Sequence, residues 1–207
     1  MTFETCSGGG GRVDLGMFRF ADQAWVSDNT DPYDRLFIQE GFSMAYPART
    51  MMCWVADPGT WVSGREASID YRFHSAMMGS LGIGGNLTEW SNKEMAEARG
   101  LIEKYKEVRD VVQEGDQYRL LSPREGDTTA VQYVSRDRSR SVLFVLRGSH
   151  RFADPVPPIC LRGLKPGTIY RSTAEKGQVS GEALMRRGIT VSLSGELSST
   201  IVEVTEE

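Results

Sequence analysis

The sequence has 207 residues, 40% hydrophobic and 25% charged, enough to bury a sizeable core in one large or two modest domains, which excludes disorder as a description of the whole. The 24 Lys and Arg stand against 28 Asp and Glu, a net charge of -4 interspersed along the chain, so no basic field exists to hold a nucleic-acid backbone. No apolar run approaches the roughly 20 residues that span a bilayer, and Cys6, Cys53, Cys160, His74 and His150 are too scattered for a zinc site or a disulfide framework.

The start, Met1 to Cys6, has neither a basic n-region nor an apolar h-region, so the expected location is the cytoplasm, where free thiols are at home. Phe3 to Cys6 reads as a short strand running into Ser7-Gly8-Gly9-Gly10-Gly11. That run lacks the Lys-Ser/Thr and the spacing of a phosphate loop. It is either a plain flexible loop or a place where bare backbone approaches a hydroxyl-rich ligand and donates main-chain N–H groups. Cys6 stands at the strand end beside it, and Arg12 and Asp14 are expected to pair and brace it.

Gln23 to Ser27 is a second strand, ending at Asp28. Asp31-Pro32 then supplies an N-cap and first-turn proline for a helix running to about Phe42. Met51 to Val55 is a third strand. Tyr71 to Met78 is a helical stretch in which His74 reads as a packing residue, and Gly82-Ile83-Gly84-Gly85 reads as a turn between helices. The strongest local signal is a helix from Asn92 to Glu114. Ser91 and Glu94 form a capping box, and Met95, Ala98, Ile102, Tyr105, Val108 and Val112 step by three and four along one face.

Beyond Gly115 the character changes to short alternating runs between turns: Gln117 to Leu121, Ala130 to Val134, Ser141 to Leu146, Thr168 to Ser172, Ile189 to Leu193 and Thr200 to Val204. The fold class is therefore α/β followed by all-β. Residues 1–115 form parallel α/β structure and 116–207 an antiparallel β-sandwich. Three parallel strands alone leave an open edge and an uncovered apolar face, so the chain reads as the end of something longer.

Asp28 is the first chemical candidate. It sits at the C-terminal end of a strand, the edge where barrel loops converge on a mouth. It could instead cap the following helix, although Asp31 before Pro32 is the better cap; spacing alone leaves the two readings even. Trp25 and Trp54 lie on strands that point toward the same mouth, where indole rings either stack on sugar faces or simply pack in the core.

These residues carry a resemblance. Glu4-Thr5-Cys6-Ser7-Gly8-Gly9-Gly10-Gly11-Arg12, then Asp14, Gly16 and Met17, then Trp25 and Ser27-Asp28-Asn29-Thr30-Asp31, then Arg35-Leu36, Ile38-Gln39, Gly41 and Tyr46-Pro47 resemble the α-galactosidases of glycoside hydrolase family 36. Tyr105-Lys106, Arg109, Gly115, Tyr118-Arg119 and Leu120-Leu121-Ser122-Pro123 are similar to that family's passage from barrel to C-terminal domain; after Pro123 the likeness weakens. The resemblance implies a (β/α)8 barrel, of which the chain holds the last three strands and helices, and a C-terminal β-sandwich. It also implies retaining hydrolysis of terminal α-galactosides of melibiose or raffinose type, with no metal or organic cofactor.

By the same resemblance Asp28 is the general acid/base and Cys6, Gly8 and Gly9 line the galactose pocket; Trp25, from its place on a strand facing the mouth, is the candidate substrate-binding ring beside them. General-acid work calls for a carboxyl whose pKa is raised by burial. Retaining hydrolysis also needs a second carboxylate about 5 Å away. The family carries it in a K-x-D pattern on an earlier strand, which this sequence lacks, and Trp54 stands before Val55 where the family more often has histidine. The expected partners follow: α-galactoside sugars, a separate N-terminal half completing the barrel or a second copy of the chain, and neither nucleic acid nor membrane. Rival readings are a non-catalytic carbohydrate-binding or assembly module, and a related α-N-acetylgalactosaminidase or galactosyl-transfer enzyme.

Overall fold

Four short strands, β1 (Glu4–Thr5), β2 (Gln23–Trp25), β3 (Met51–Val55) and β4 (Ser80–Ile83), lie side by side in that order, all parallel. The structure, a computed structural model, describes residues 1–59, 63–150 and 155–207. The alternation along β3 fixes which face is which: Met51, Cys53 and Val55 are buried, while Met52 and Trp54 between them stay partly open. Two helices, α1 (Asp34–Ser43) and α2 (Ile69–Ala76), pack on β3. Arg35 of α1 reaches the Cys53 sulfur, and Leu36, Phe73 and Met77 are buried, which marks the helix-covered side. In-register partners Trp25↔Met52 and Trp54↔Gly82 put Trp25, Met52, Trp54 and Gly82 together on the opposite face.

Two expectations for this half change. The parallel sheet has four strands where three were read, because Gly82-Ile83 belongs to β4 and is not a turn. The glycines misled: a Cβ on Gly82 would stand 2.8 Å from Trp54 Cδ1, and one on Gly84 2.1 Å from Trp54 Cε3. They are bare because the Trp54 ring lies across them. The helix expected from Asp31-Pro32 begins regular geometry at Asp34, but Asp31 is its cap: Oδ1 accepts from the N–H groups of Tyr33 at 3.0 Å and Asp34 at 2.9 Å.

The chain divides into two compact units, Met1–Glu107 and Val108–Glu207, with the division falling inside α3 (Asn92–Glu114). The predicted bounds of α3 hold. Ser91 Oγ accepts from Glu94 N and Glu94 Oε2 accepts from Ser91 N, the reciprocal capping box. Tyr105 anchors the helix in the first unit by donating to Gly79 O at 2.7 Å and accepting from Leu81 N. Among the described residues no helix is long and apolar enough to cross a membrane.

The second unit is antiparallel throughout. The strands β5 (Asp116–Leu121), β6 (Thr128–Val134) and β7 (Arg140–Arg147) form a meander. β8 (Ile169–Ser172) and β9 (Gln178–Ser180) come next, then α4 (Gly181–Arg186) and β10 (Ser198–Glu206), and the sheet order is β5-β6-β7-β10-β8-β9. Leu143, Val145, Val202 and Val204 from the sheet pack with Ile159, Leu161, Leu164, Leu184 and Ile189 from the segment beyond it. Buried Gln132 binds that segment, donating to Arg162 O and accepting from Arg162 N. The strand expected over Ile189 to Leu193 reduces to one bridge, Ile159↔Ile189, because no strand lies beside the rest of that run among the described residues.

Candidate active site

The end of β1 runs directly into the glycine loop, which folds on itself: Ser7 N donates to Gly9 O at 3.1 Å and Gly11 N to Ser7 O at 3.1 Å. Gly8 and Gly9 hold φ of 53° and 75°, the left-handed region that glycine enters without strain. The loop lies against the chain leaving β2. A Cβ on Gly9 would stand 3.0 Å from Ser27 Cα and 3.1 Å from Asp28 N, and one on Gly10 2.7 Å from Val26 O. Gly9 is thereby brought to Asp28 at the C-terminal edge of the sheet, while Gly8 has open space around it and Cys6 is exposed at the root of the loop. The expected Arg12–Asp14 pair is not formed among the described residues; Asp14 instead accepts from Met17 N at 2.8 Å, closing its own turn.

Asp28 is held from below. Trp25 Nε1 donates to Asp28 Oδ1 at 2.8 Å, and the Trp25 ring, 8% exposed, packs on Trp54 with centroids 4.5 Å apart and planes at 58°. The Arg35 guanidinium lies 5.9 Å from the Trp25 ring centroid. Trp54 keeps 38% of its surface open, so of the two rings it offers more area to a ligand. The burial expected of Asp28 is not what the structure shows: its side chain is exposed, because it stands at the end of β2 above the layer of tryptophans.

The segment after Asp28 is fixed by a polar network. Asn29 N donates to Ser27 Oγ, Asn29 Nδ2 to Asp34 Oδ2 at 2.8 Å, and Asp31 N to Asn29 Oδ1 at 3.0 Å. Asp31, with no exposed surface, also binds Ser63 Oγ and the Arg65 guanidinium, which reaches Asp34 at 3.3 Å and covers the Tyr33 ring at 4.9 Å. Beneath it, Arg35 Nη2 donates to Met52 O at 2.7 Å. Burial, with the Tyr33 hydroxyl and the Asp31 carboxylate nearby, pushes the Tyr71 phenol well up, so it stays protonated. Asp57, just past β3, accepts from Trp90 Nε1 at 2.7 Å and Asn86 N at 2.8 Å. Asp31 and Asp57 are thus committed to structure, and Asp28 alone of these three presents an open carboxylate oxygen.

Ser63, Arg65 and Asp57 escaped the sequence reading, since their partners lie about thirty positions away in the chain. Burial lowers the pKa of His74 to about 4 against the opposing pull of Asp70, which fits a neutral packing residue. Cys53 is buried and its thiol pushed up, so it is no nucleophile. In the second unit a pocket of about 590 Å³ is lined by Arg147, His150, Pro155, Val156 and residues 190–193, and none of these is a carboxylate. His150 Nδ1 there lies 2.8 Å from Arg147 Nη1. Among the described residues no group of three His, Cys, Asp or Glu could hold a metal ion.

Comparison with known proteins agrees with this geometry along the whole chain. The family model described as Melibiase matches residues 1–115, and that of the glycosyl hydrolase family 36 C-terminal domain matches residues 128–204. The chain is 39% identical over 189 residues to alpha-galactosidase AgaA of Geobacillus stearothermophilus, covering 91% of this chain and 26% of that protein. It is 33% identical over 206 residues to probable alpha-galactosidase G of Emericella nidulans, covering 99% of this chain and 28% of that one. The crystal structure of GH36 alpha-galactosidase AgaB from Geobacillus stearothermophilus superposes with a TM-score of 0.95 at 36% identity, over 100% of this chain and 29% of that one. The chain therefore spans between a quarter and a third of these relatives, all four strands and the antiparallel unit included. With more than half of its length matched by the barrel model and most of the rest by the C-terminal model, the chain belongs to the melibiase family, glycosyl hydrolase family 36.

Proposed function

We propose that this chain supplies the acid/base side of a retaining α-galactosidase site, acting on terminal α-galactosyl groups of melibiose- or raffinose-type sugars. The observation that carries the reading is Asp28: an exposed carboxylate at the C-terminal edge of a parallel sheet, with one oxygen tied to an indole and bare glycine backbone packed beside it. In support, relatives matched along nearly the whole chain are alpha-galactosidases, and variants of AgaA from Geobacillus stearothermophilus have been solved in complex with raffinose and with stachyose.

The chemistry follows from the two-carboxylate rule. Asp28 as the acid gives its proton to the glycosidic oxygen while the bond from that oxygen to C1 breaks and a second carboxylate bonds to C1. As the base it then takes a proton from water, whose oxygen displaces the second carboxylate. Cys6, Gly8 and Gly9 form the wall against which the sugar hydroxyls rest, with Trp25 and Trp54 beneath. The second carboxylate comes from a part of the barrel outside these 207 residues, so they turn over negligibly by themselves.

The test is hydrolysis of an aryl α-galactoside by the chain alone and mixed with the N-terminal half of a related enzyme, each beside Asp28→Asn. Activity is expected only in the mixture, falling roughly 10²- to 10⁴-fold in the variant. Robust Asp28-dependent hydrolysis by the chain alone would overturn the claim that the nucleophile lies elsewhere. A mixture whose activity ignores Asp28→Asn would remove Asp28 from the reaction.

A further inference from the structure

Trp25 is more deeply committed than a sugar platform requires. Its ring is 8% exposed, it sits on Trp54 at 4.5 Å, and its one polar atom points at Asp28 Oδ1 from 2.8 Å. Trp54 is itself seated on the bare backbone of Gly82 and Gly84, where any Cβ would collide with it. The backbone at Asp28 is held separately: the glycine loop packs on Asp28 N, and Asn29 is fixed to Ser27 and Asp34. Backbone and side chain of Asp28 are therefore oriented independently, the first by the loop network and the second by the indole.

An indole N–H can only donate. Whatever the protonation state of Asp28, Oδ1 must then be an acceptor, and a proton on this carboxyl must sit on Oδ2. We infer that Trp25 is a positioning residue that reserves Oδ1 of Asp28 as a permanent acceptor, making Oδ2 the oxygen that exchanges the proton with substrate and water. The inference rests on the acid/base reading of Asp28 and deepens it. The chemistry favours an indole for this task over an arginine or lysine. A neutral donor fixes the carboxyl through both halves of the cycle, whereas a cation in direct contact would hold it ionised and oppose the acid step. Arg35 faces the Trp25 ring and is spent on Ser27 O, Met52 O, Gln39 and Cys53 Sγ.

Two measurements test this. In the unmodified chain labelled with 15N, the Trp25 indole resonance, assigned with Trp25→Phe, is expected to shift with the protonation of Asp28 and to lose that dependence in Asp28→Asn. An indole resonance that stays still while the Asp28 carboxyl titrates overturns the inference. In the complemented enzyme, Trp25→Phe is expected to slow melibiose, whose leaving group needs its proton, roughly 10- to 100-fold more than a nitrophenyl galactoside with a good leaving group. The basic limb of the kcat/KM profile on melibiose should move with it. Equal losses on both substrates would mean that Trp25 only packs, and would overturn the inference. Failure of the acid/base reading is separate: there Asp28→Asn would show no dependence on leaving group, and with a moving indole resonance the hydrogen bond would stand without its catalytic meaning.

Discussion

The two units solve opposite problems. The second closes on itself, with Leu143, Leu161, Leu184, Tyr170 and Ile189 among residues of at most 2% exposure in a single apolar cluster. The first leaves one sheet face partly open and adds to its apolar core the buried charged groups Asp31, Arg35, Glu40 and Arg72, all at most 8% exposed, where the second buries Arg147. Apolar packing is non-directional and tolerates exchange of one side chain for another of similar volume. A buried polar network is directional and fails when one member goes. The unit that carries Asp28 holds more of these buried charges than the other.

All four tryptophans, Trp25, Trp54, Trp61 and Trp90, stand in the first unit, so indole fluorescence follows that unit while circular dichroism follows both. The largest effect is expected from Leu143→Ala, which opens a cavity at a side chain with no exposed surface and costs about 3–4 kcal/mol. In urea the dichroism midpoint should drop ahead of an unchanged fluorescence midpoint. If both fall together, the units unfold as one and the contrast is about composition only. Next comes Asp31→Ala, which strips the cap from α1 and the partner from Arg65, at about 2–3 kcal/mol, and should move the fluorescence midpoint together with the first unit's share of the dichroism change.

The smallest effect is with pH. His74 titrates at about 4 when folded and near 6.5 when unfolded, so between those values the unfolded chain binds more protons and stability falls as pH falls. The loss, about 1–2 kcal/mol, should show in the fluorescence midpoint between pH 7 and 4.5 and disappear in His74→Gln. In the second unit Asp137, held at about 2 by the Ser135 hydroxyl and by Ser139, keeps its partners through that window. A dichroism-monitored loss in the second unit over the same range would blur the contrast.

What was legible in the sequence follows the range of each interaction. The bounds of α3 could be read because the box at Ser91 and Glu94 and the three-four spacing are local. β9 and α4 were missed for being short, although Ser180, which accepts from Ala183 N, is a cap in plain view. The site divides the same way. Asp28, Trp25, Cys6 and the glycines were read from one contiguous third of the first unit, and the capping reading of Asp28 fell away once Asp31 was seen to cap α1. The latch of Ser63 and Arg65 on Asp31 had no local signature, because nothing in a loop beyond β3 announces a partner before α1. β4 was hidden for a subtler reason: its glycines answer a ring on another strand and no need of their own backbone.

That last pairing bears on how such a sequence can drift. With Trp54 present, a methyl at Gly84 would have to occupy space 2.1 Å from a ring carbon, so single changes there are closed. Only after position 54 has shrunk can position 84 grow, and once it has grown the way back is shut. Trp54 on β3, Gly82 on β4 and Gly84 just past it therefore form a ratchet, whose order of replacement is dictated by volume.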